Sequence, residues 1–248
     1  MSILVLAGDL TNYYLYKRLL ENNFDVKLEG FNHLLNNKNN NKPIVLKGFK
    51  TIIAPIPFTI DGFQLYSPYS GENIHIDQLL LKADKDARII GGPFNIDDKR
   101  FYDITKNRDF TNKTVIPTCE EIIKIVIDRS DFTLFDSNVL INGEGRVKNR
   151  LTILIESLGG KIVKEKEITS SNIIINTSKD ANPINSSLEK LNRDVLIVDV
   201  SPGDYTIDKK RSKALGLNII KARGLPGKSA PKAVSGYIYK TLLKEHLI

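Results

Sequence analysis

The chain has 248 residues, 41% hydrophobic and 26% charged, which is typical of a soluble globular protein with one large or two small domains. The formal net charge of +7 favours anionic partners. No basic stripe is interleaved with stacking aromatics, so we expect no nucleic acid binding, but an anionic metabolite and a phosphorylated cofactor. No apolar run could span a bilayer, and the start lacks a signal-peptide pattern. We therefore expect no membrane partner. The single cysteine, Cys119, excludes an intrachain disulfide, so we expect a cytoplasmic protein.

Short apolar runs alternate with amphipathic segments in the first half of the chain. An Asn/Lys tract at residues 36–42 has nothing to bury and is predicted to be a loop. We predict strands at residues 3–7, 24–28, 51–54 and 87–90, a helix capped by Thr11, and a second helix at 76–83.

A boundary is predicted near residue 116, where Pro117 ends one segment. Thr118 is expected to cap the next helix, with Glu121 completing a capping box. Strands alternating with helices predict an α/β fold with two doubly wound units and largely parallel sheets. In this half we predict strands at residues 139–142, 161–163, 172–176, 195–199 and 217–220, and helices at 118–127, 146–158 and 231–247.

A glycine-rich turn follows the strand at 139–142. In Gly143-Glu144-Gly145, the first glycine permits a tight turn and the second lets the backbone approach a pyrophosphate at the helix N-terminus. Lys148 stands where the third glycine of such a motif is usual. The alternative is a simple turn without a ligand. The candidate cofactor-binding residues are Gly143, Glu144, Gly145, Arg146, Val147, Lys164, Glu165 and Thr177.

A second glycine-rich segment precedes the last helix. Its combination of glycines around a fixed proline predicts a rigid loop that could hold an anion, or a linker between domains. Thr118 and Glu120 are further polar candidates, whereas Cys119 is interpreted as a buried structural thiol. The histidines have no metal-ligand spacing, so we expect no metal site. The candidate substrate-binding residues are Thr118, Glu120, Gly224, Leu225, Pro226, Gly227, Lys228, Ser229 and Ala230.

The run from Gly224 to Gly236 resembles the C-terminal signature of one dipicolinate synthase family, that of the A-type subunit of the enzyme. Three further segments are similar to the same family in the same order. They are Leu6-Ala7-Gly8-Asp9, Ile116-Pro117-Thr118-Cys119-Glu120, and Asp199-Val200-Ser201-Pro202-Gly203 with Asp208.

This resemblance implies two Rossmann-like domains, with the last helix returning to the first. The expected division is an N-terminal substrate and partner domain at 1–115 with the closing helix 231–248, and a dinucleotide-binding domain at 116–230. It also implies an NADP-dependent oxidoreductase of sporulation, in the lysine/diaminopimelate branch. Such an enzyme oxidises a dihydrodipicolinate-type dicarboxylate together with a partner protein, the B-type subunit of the synthase. The residues do not identify a general base.

Two alternatives remain open at this point. Lys148 and the short connection between Val163 and Asn172 also fit a non-catalytic binding or scaffold paralogue that has altered or lost nucleotide binding. NAD is the alternative cofactor, because Glu165 could contact a ribose hydroxyl where Lys164 could contact a 2′-phosphate. On a strand, the lysines and glutamates of the run 164–167 would point to opposite faces. Self-association as a homo-oligomer is also open.

Overall fold

The computed structural model describes residues 2–35, 44–201 and 206–248. The chain divides into two compact units, Met1–Thr114 with Pro226–Ile248, and Val115–Leu225. The predicted loop at 36–42 and the Pro202-Gly203 pair of the family-like segment lie outside the described residues.

The first unit contains a parallel five-stranded sheet in the order β2-β1-β3-β4-β5. Strand β1 is completely buried, as expected of a parallel strand covered on both faces. Strand β5 was not predicted, because it is only three residues long and half-buried at the sheet edge. The elements are β1 (Ile3–Leu6), α1 (Leu10–Glu21), β2 (Val26–Glu29), β3 (Thr51–Ile53), α2 (Ile76–Lys82), β4 (Arg88–Gly91), β5 (Phe101–Asp103) and a 3-10 helix (Ile104–Lys106).

The last helix, α8 (Pro231–Lys244), packs against α1 in this first unit. Val234, Ile238 and Leu242 recur every four residues and form one buried stripe. Leu15 and Leu19 of α1 belong to the same buried cluster. The predicted return of the closing helix is therefore confirmed.

Helix α3 (Arg108–Arg129) is continuous and contains Pro117. The predicted helix start at Thr118 and its capping box are therefore wrong. An interior proline removes one backbone hydrogen bond and costs about 3 kcal/mol. Burial of Cys119, Ile122 and Val126 along one face offsets that cost, and the helix runs on through the proline.

The second unit contains another parallel five-stranded sheet, in the order β10-β9-β8-β6-β7. The two sheets confirm the predicted fold of two doubly wound α/β units. The elements are β6 (Asn138–Asn142), α4 (Arg146–Ser157), β7 (Lys161–Val163), a 3-10 helix (Glu165–Ser170), β8 (Ile173–Asn176), α5 (Asn182–Asn185), a 3-10 helix (Leu188–Lys190), β9 (Leu196–Asp199), α6 (Lys209–Ala214), β10 (Asn218–Lys221) and α7 (Leu225–Ser229), which continues into the first unit.

Within the described ranges, no helix has both the length and the apolar character needed to cross a membrane.

Candidate functional site

Both sheets have the same strand order, in which the first strand lies between the second and the third. In such sheets ligands bind beyond the carboxyl ends of the strands, where the direction of the chain crossover reverses. This switch point lies between β1 and β3 in the first sheet and between β6 and β8 in the second. Each unit therefore has one predicted ligand edge.

The glycine-rich turn lies at the switch point of the second sheet. Gly143 follows β6 directly and has a φ of +113°, which favours glycine. A Cβ atom at this position would stand 2.3 Å from Thr177 Oγ1. The Thr177 hydroxyl donates a hydrogen bond to the Asn142 carbonyl, at 2.9 Å. The structure thus brings together two predicted cofactor residues, Gly143 and Thr177.

Gly145 is the N-cap residue of α4, with φ +92° and ψ −158°. It has no side chain to cap the first turn of the helix. A Cβ atom at Gly145 would meet no heavy atom within 4 Å, so the space in front of this helix end is open. An uncapped N-terminus with open space suits an anion, and the residues present fit the pyrophosphate of a dinucleotide.

Lys148 stands at the position where a motif of this kind usually has its third glycine. Its ammonium group forms an ion pair with the Glu144 carboxylate, with Nζ and Oε1 3.2 Å apart. The helix instead packs on the sheet through Leu151 and Ile155, which are completely buried. The lysine side chain runs toward the turn and leaves the contact between helix and sheet to apolar residues.

The segment after β7 differs from the prediction. Residues Glu165–Ser170 form a 3-10 helix rather than a strand end, so the argument from alternating strand faces is wrong. Lys164 is the N-cap residue, and its backbone N–H donates to Glu167 Oε2 at 3.1 Å. Glu167 therefore satisfies the helix end, while the side chains of Lys164, Glu165 and Lys166 are exposed.

Thr118 and Glu120 lie in the middle of α3 rather than at its start. Thr118 is half-buried and Glu120 is exposed. Cys119 between them is completely buried, and its thiol contacts the Val147 carbonyl at 3.7 Å. Burial raises the pKa of the Cys119 thiol to about 11. The interpretation of Cys119 as a structural thiol agrees with this environment.

A row of polar side chains crosses the carboxyl edge of the second sheet. Asn142, Asn176, Asp199 and Lys221 end four strands and pair in register. Their side chains are joined by hydrogen bonds from Asn142 Nδ2 to Asn176 Oδ1 (2.8 Å), from Asn176 Nδ2 to Asp199 Oδ1 (3.0 Å), and from Lys221 Nζ to Asp199 Oδ2 (3.1 Å). We name this set the polar row.

The polar row adjoins the candidate cofactor site, because Asn142 immediately precedes Gly143 and Asn176 immediately precedes Thr177. Our sequence reasoning missed it. The signal was present, since each member is a polar residue that ends an apolar strand. Recognising the set requires the strand register, which brings together residues far apart in the chain.

The predicted loop at 224–230 is in fact largely helical, as α7 (Leu225–Ser229). Leu225 is buried in the core of the second unit, and Gly224 has a φ of +63°. Pro226, Gly227, Lys228, Ser229 and Ala230 belong to the first unit. The predicted substrate residues therefore belong to two different units. The prediction missed this division because it treated residues 224–230 as one loop.

At the switch point of the first sheet, Gly227 lies against the residues that follow β1. A Cβ atom at Gly227 would stand 2.2 Å from Asp9 Oδ2 and 2.9 Å from Thr11 Oγ1. Asp9, and not Thr11 as predicted, is the N-cap residue of α1. Its Oδ1 accepts a hydrogen bond from Thr11 N at 2.8 Å.

Asp9 has an unusual electrostatic environment for a helix cap. Burial raises the pKa of its carboxyl above 3.8, against the opposing effects of the hydrogen bonds from Thr11 and the positive charge of Lys228. The pKa of Tyr66 is also raised, first by burial and then by the charge of Asp9. The close approach of Gly227 to the Asp9 carboxylate joins residues far apart in the chain, and our sequence reasoning did not identify it.

Among the described residues, no group of three or more His, Cys, Asp or Glu side chains is arranged to hold a metal ion.

Comparisons with known proteins agree with the resemblance expected from the sequence. Residues 2–111 match the family model for the N-terminal domain of the A-type subunit of dipicolinate synthase. The A-type subunit of dipicolinate synthase from Bacillus subtilis (strain 168) is 23% identical to this chain over 283 aligned residues, which cover 98% of this chain and 95% of the relative.

Two solved structures share the fold. The A-type subunit of dipicolinate synthase from Bacillus halodurans superimposes with a TM-score of 0.81 at 18% identity, covering 98% of this chain and 96% of the other. NAD-dependent formate dehydrogenase of Staphylococcus aureus, in complex with NAD, gives a TM-score of 0.54 at 12% identity, covering 99% and 95%. The chain is thus similar to the A-type subunit of dipicolinate synthase over nearly its whole length, and its fold is shared with a nicotinamide-dependent dehydrogenase.

Proposed function

We propose that this chain is an NAD(P)-dependent oxidoreductase that, like its relatives among the dipicolinate synthases, oxidises a dihydrodipicolinate-type precursor to dipicolinate. The observation that carries the proposal is the open, uncapped N-terminus of α4 beside Gly143 and Gly145, at the switch point of the second sheet. This is the position at which doubly wound sheets bind nucleotides.

In this proposal the second unit binds the cofactor. The backbone of Gly143, Glu144, Gly145, Arg146 and Val147 holds the pyrophosphate, and Thr177 fixes the turn through its contact with Gly143. The bound nicotinamide supplies the acceptor for a hydride from the substrate. The polar row holds the ends of β6 and β8, so that the turn keeps its shape when no ligand is present.

The first unit supplies the groups for a dicarboxylate substrate. Lys228 carries positive charge beside the carboxyl edge of its sheet, and Gly227 lets α7 approach that edge closely. Ser229 and Ala230 follow in the same segment. The further proposed substrate residues are Pro226 of the first unit, and Thr118, Glu120, Gly224 and Leu225 of the second unit. A protein like the B-type subunit of dipicolinate synthase is the proposed partner. We place the proposed reaction in the cytoplasm of a spore-forming cell, during sporulation.

For the cofactor we propose NADP, with NAD as the alternative. Lys164 and Lys166 are exposed after β7, the strand whose end faces the adenosine ribose in this fold. The Glu167 carboxylate accepts a hydrogen bond from the backbone N–H of Lys164, so it is not the acid that would bind the ribose. Glu165 is exposed in the same segment and is the residue that would favour NAD. Substitution of both lysines by glutamate should weaken NADP binding more than NAD binding.

The direct test incubates the purified chain with the proposed B-type partner, NADP and freshly prepared precursor. Formation of dipicolinate, measured by its ultraviolet absorbance, is the expected result. Absence of product at saturating cofactor, with both NADP and NAD, would overturn the proposed activity.

A scaffold without redox activity is the second candidate, favoured by the 3-10 helix that replaces a longer connection between β7 and β8. A measurement of nucleotide binding distinguishes the oxidoreductase from the scaffold. A ligand at 100 times its dissociation constant stabilises the native state by about 2.7 kcal/mol. A thermal shift with NADP or NAD is expected for the enzyme. Unchanged melting with both nucleotides, oxidised and reduced, supports the scaffold.

A further inference from the structure

Asn176 ends β8 and lies inside the polar row, between Asn142 and Asp199. Its side chain is completely buried, and all four of its hydrogen-bonding positions are used. Oδ1 accepts hydrogen bonds from Asn142 Nδ2 at 2.8 Å and from Ser178 N at 3.2 Å. Nδ2 donates to Asp199 Oδ1 at 3.0 Å and to Thr206 Oγ1 at 2.8 Å. The amide therefore joins four separate segments of the second unit.

The neighbours of this amide determine its orientation. The backbone N–H of Ser178 can only donate, so it faces the oxygen of the amide. The Asp199 carboxylate is paired with the Lys221 ammonium and accepts, so it faces the nitrogen. An aspartate at position 176 would set an acceptor against Asp199, and a leucine would leave the buried groups around it without partners. The position thus requires a side chain that donates on one side and accepts on the other.

The same hydrogen bonds reach the candidate cofactor turn. Asn142 directly precedes Gly143, and its carbonyl accepts from both the backbone N–H and the hydroxyl of Thr177, each at 2.9 Å. A Cβ atom at Gly143 would stand 3.1 Å from Ser178 N, the atom that donates to Asn176. The segment after β8 therefore forms a wall against the turn, and the Asn176 amide holds both that wall and the end of β6.

We propose that Asn176 is a positioning residue of the nucleotide site, which it keeps in its binding shape by holding the Gly143 turn against the segment after β8. This inference rests on the proposed function. Asn176 is completely buried, so it acts on a ligand only through Asn142, Thr177 and Ser178. A site that is ordered before the ligand arrives binds more tightly, because less ordering is then required on binding. Loss of the amide should therefore appear as a loss of nucleotide affinity.

The charged groups around Asn176 provide a specific way to test this role. The Asp199 carboxylate lies 3.0 Å from Asn176 Nδ2, and the Lys221 ammonium lies 3.1 Å from the other oxygen of Asp199. On the opposite side, Asp180 contributes its neutral backbone carbonyl to the polar row, and its carboxylate accepts from Asn182 N. Two carboxylates at hydrogen-bond distance repel each other when both are ionised, and at lower pH they share a proton.

The test compares NADP binding by Asn176→Asp and by the unmodified chain, using fluorescence titration at pH 8 and pH 5. At pH 8 the contact with Asp199 becomes repulsive, so we expect the Kd of the variant to be at least about tenfold higher. At pH 5 a shared proton supplies an O–H donor in place of the N–H, and the ratio of the two Kd values should fall to within about threefold. Titration of the nucleotide itself cancels in this ratio. Asn176→Leu cannot gain a proton, so its ratio should stay high at both pH values.

Asn172→Ala is the matched control at the opposite edge of the same sheet. Asn172 precedes β8, and its Oδ1 accepts from Asn138 N at 2.8 Å, so it also joins β8 to β6. This variant should lose stability in urea unfolding and keep the unmodified NADP affinity. An equal loss of affinity in Asn172→Ala would show that any loosening of β6 against β8 suffices, and would overturn the specific role of Asn176.

The remaining outcomes separate this role from the proposed function. Circular dichroism at both pH values establishes that each variant is folded. A Kd of Asn176→Asp within about threefold of the unmodified value at pH 8 would overturn the positioning role alone. A ratio as high at pH 5 as at pH 8 would overturn the part assigned to Asp199. Failure of the unmodified chain to bind either NADP or NAD would overturn the proposed function and, with it, this role.

Discussion

Lys221 and Asp199 form a buried ion pair at the carboxyl edge of the second sheet, with Nζ and Oδ2 3.1 Å apart. Their side chains are 6% and 0% exposed, and the Lys221 ammonium also donates to the Ser201 carbonyl at 2.8 Å. The pair ends the polar row, on the side away from the glycine-rich turn. It adds a side-chain contact between the ends of β9 and β10, where the two residues are also partners in the strand register.

Removal of one member of this pair should strongly destabilise the second unit. Lys221→Ala leaves the Asp199 carboxylate buried without its cation, and such losses cost about 3–5 kcal/mol. The double variant Asp199→Asn with Lys221→Met should recover a large part of the loss. Urea unfolding measures both. Glu189→Ala is the control, because its pair with Arg211 is exposed to solvent and should contribute little to stability. Equal costs for Lys221→Ala and Glu189→Ala would contradict this account of the polar row.

The open space at Gly145 leads to a separate prediction about cofactor affinity. Alanine at this position meets no protein atom, but its methyl group would occupy the approach of the pyrophosphate. We expect Gly145→Ala to weaken nucleotide binding at least about tenfold, measured by fluorescence titration well below the melting temperature. The backbone angles of Gly145, φ +92° and ψ −158°, are ones that essentially only glycine adopts, so alanine there adds a stability cost of about 1–3 kcal/mol.

Gly216→Ala is the matched control for Gly145→Ala. Gly216 lies in the same unit, has a φ of +71°, and is equally open. It should lose stability because of its own positive φ, and it should keep an unchanged nucleotide affinity. Parallel losses of affinity in both variants would show that backbone strain, rather than the ligand approach, accounts for the effect.

The buried thiol of Cys119 should be unreactive in the native protein. Thiolate is the reactive form, and a pKa of about 11 leaves almost none at pH 8. A disulfide reagent should release no chromophore from the folded chain, and one equivalent after unfolding in guanidinium, since the sequence contains one cysteine. Fast stoichiometric reaction at pH 8 without denaturant would contradict the structural assignment of this residue.

The sequence predicted the strands well because their apolar runs are continuous, as parallel strands covered on both faces require. Residues 3–6 and 173–176 are completely buried examples. Local signals failed where tertiary packing decides the outcome. Thr118 has the chemistry of an N-cap, but burial of Ile122 and Val126 extends the helix through Pro117. The turn at Gly143 follows from local chemistry, whereas the polar row and the contact between Asp9 and Gly227 join residues distant in sequence.

Gly227 should tolerate no side chain, whereas another glycine of the same C-terminal segment should accept one. Gly227→Ala forces a methyl group against Asp9 Oδ2, and we expect a loss of about 1–3 kcal/mol together with reduced turnover. Gly236→Ala, in α8, places its methyl group 3.5 Å from Arg18 Nη2, an ordinary contact. It should stabilise the helix by up to about 1 kcal/mol. Thermal unfolding and the dipicolinate assay, applied to both variants, check the contrast. A Gly227→Ala chain as stable and active as Gly236→Ala would contradict the observed packing.

Asp9→Asn should also change how stability depends on pH, independently of any activity. Because burial raises the pKa of Asp9 above 3.8, its favourable contribution is fully present below that value, where the carboxyl is protonated in both states. The contribution is lost as the pH rises through the raised pKa, since ionisation then costs more in the folded chain. Asparagine keeps the cap and never ionises. The free energy of unfolding of the variant minus that of the unmodified chain should therefore increase as the pH rises from 3.8 through the raised pKa of Asp9, and then stay level. Urea unfolding of both proteins at pH 4, 5.5, 7 and 8 gives this difference, in which the titrations common to both proteins cancel. A difference that falls toward pH 7 would mean that Lys228 and Thr11 outweigh burial, and that the ionised carboxylate stabilises the fold.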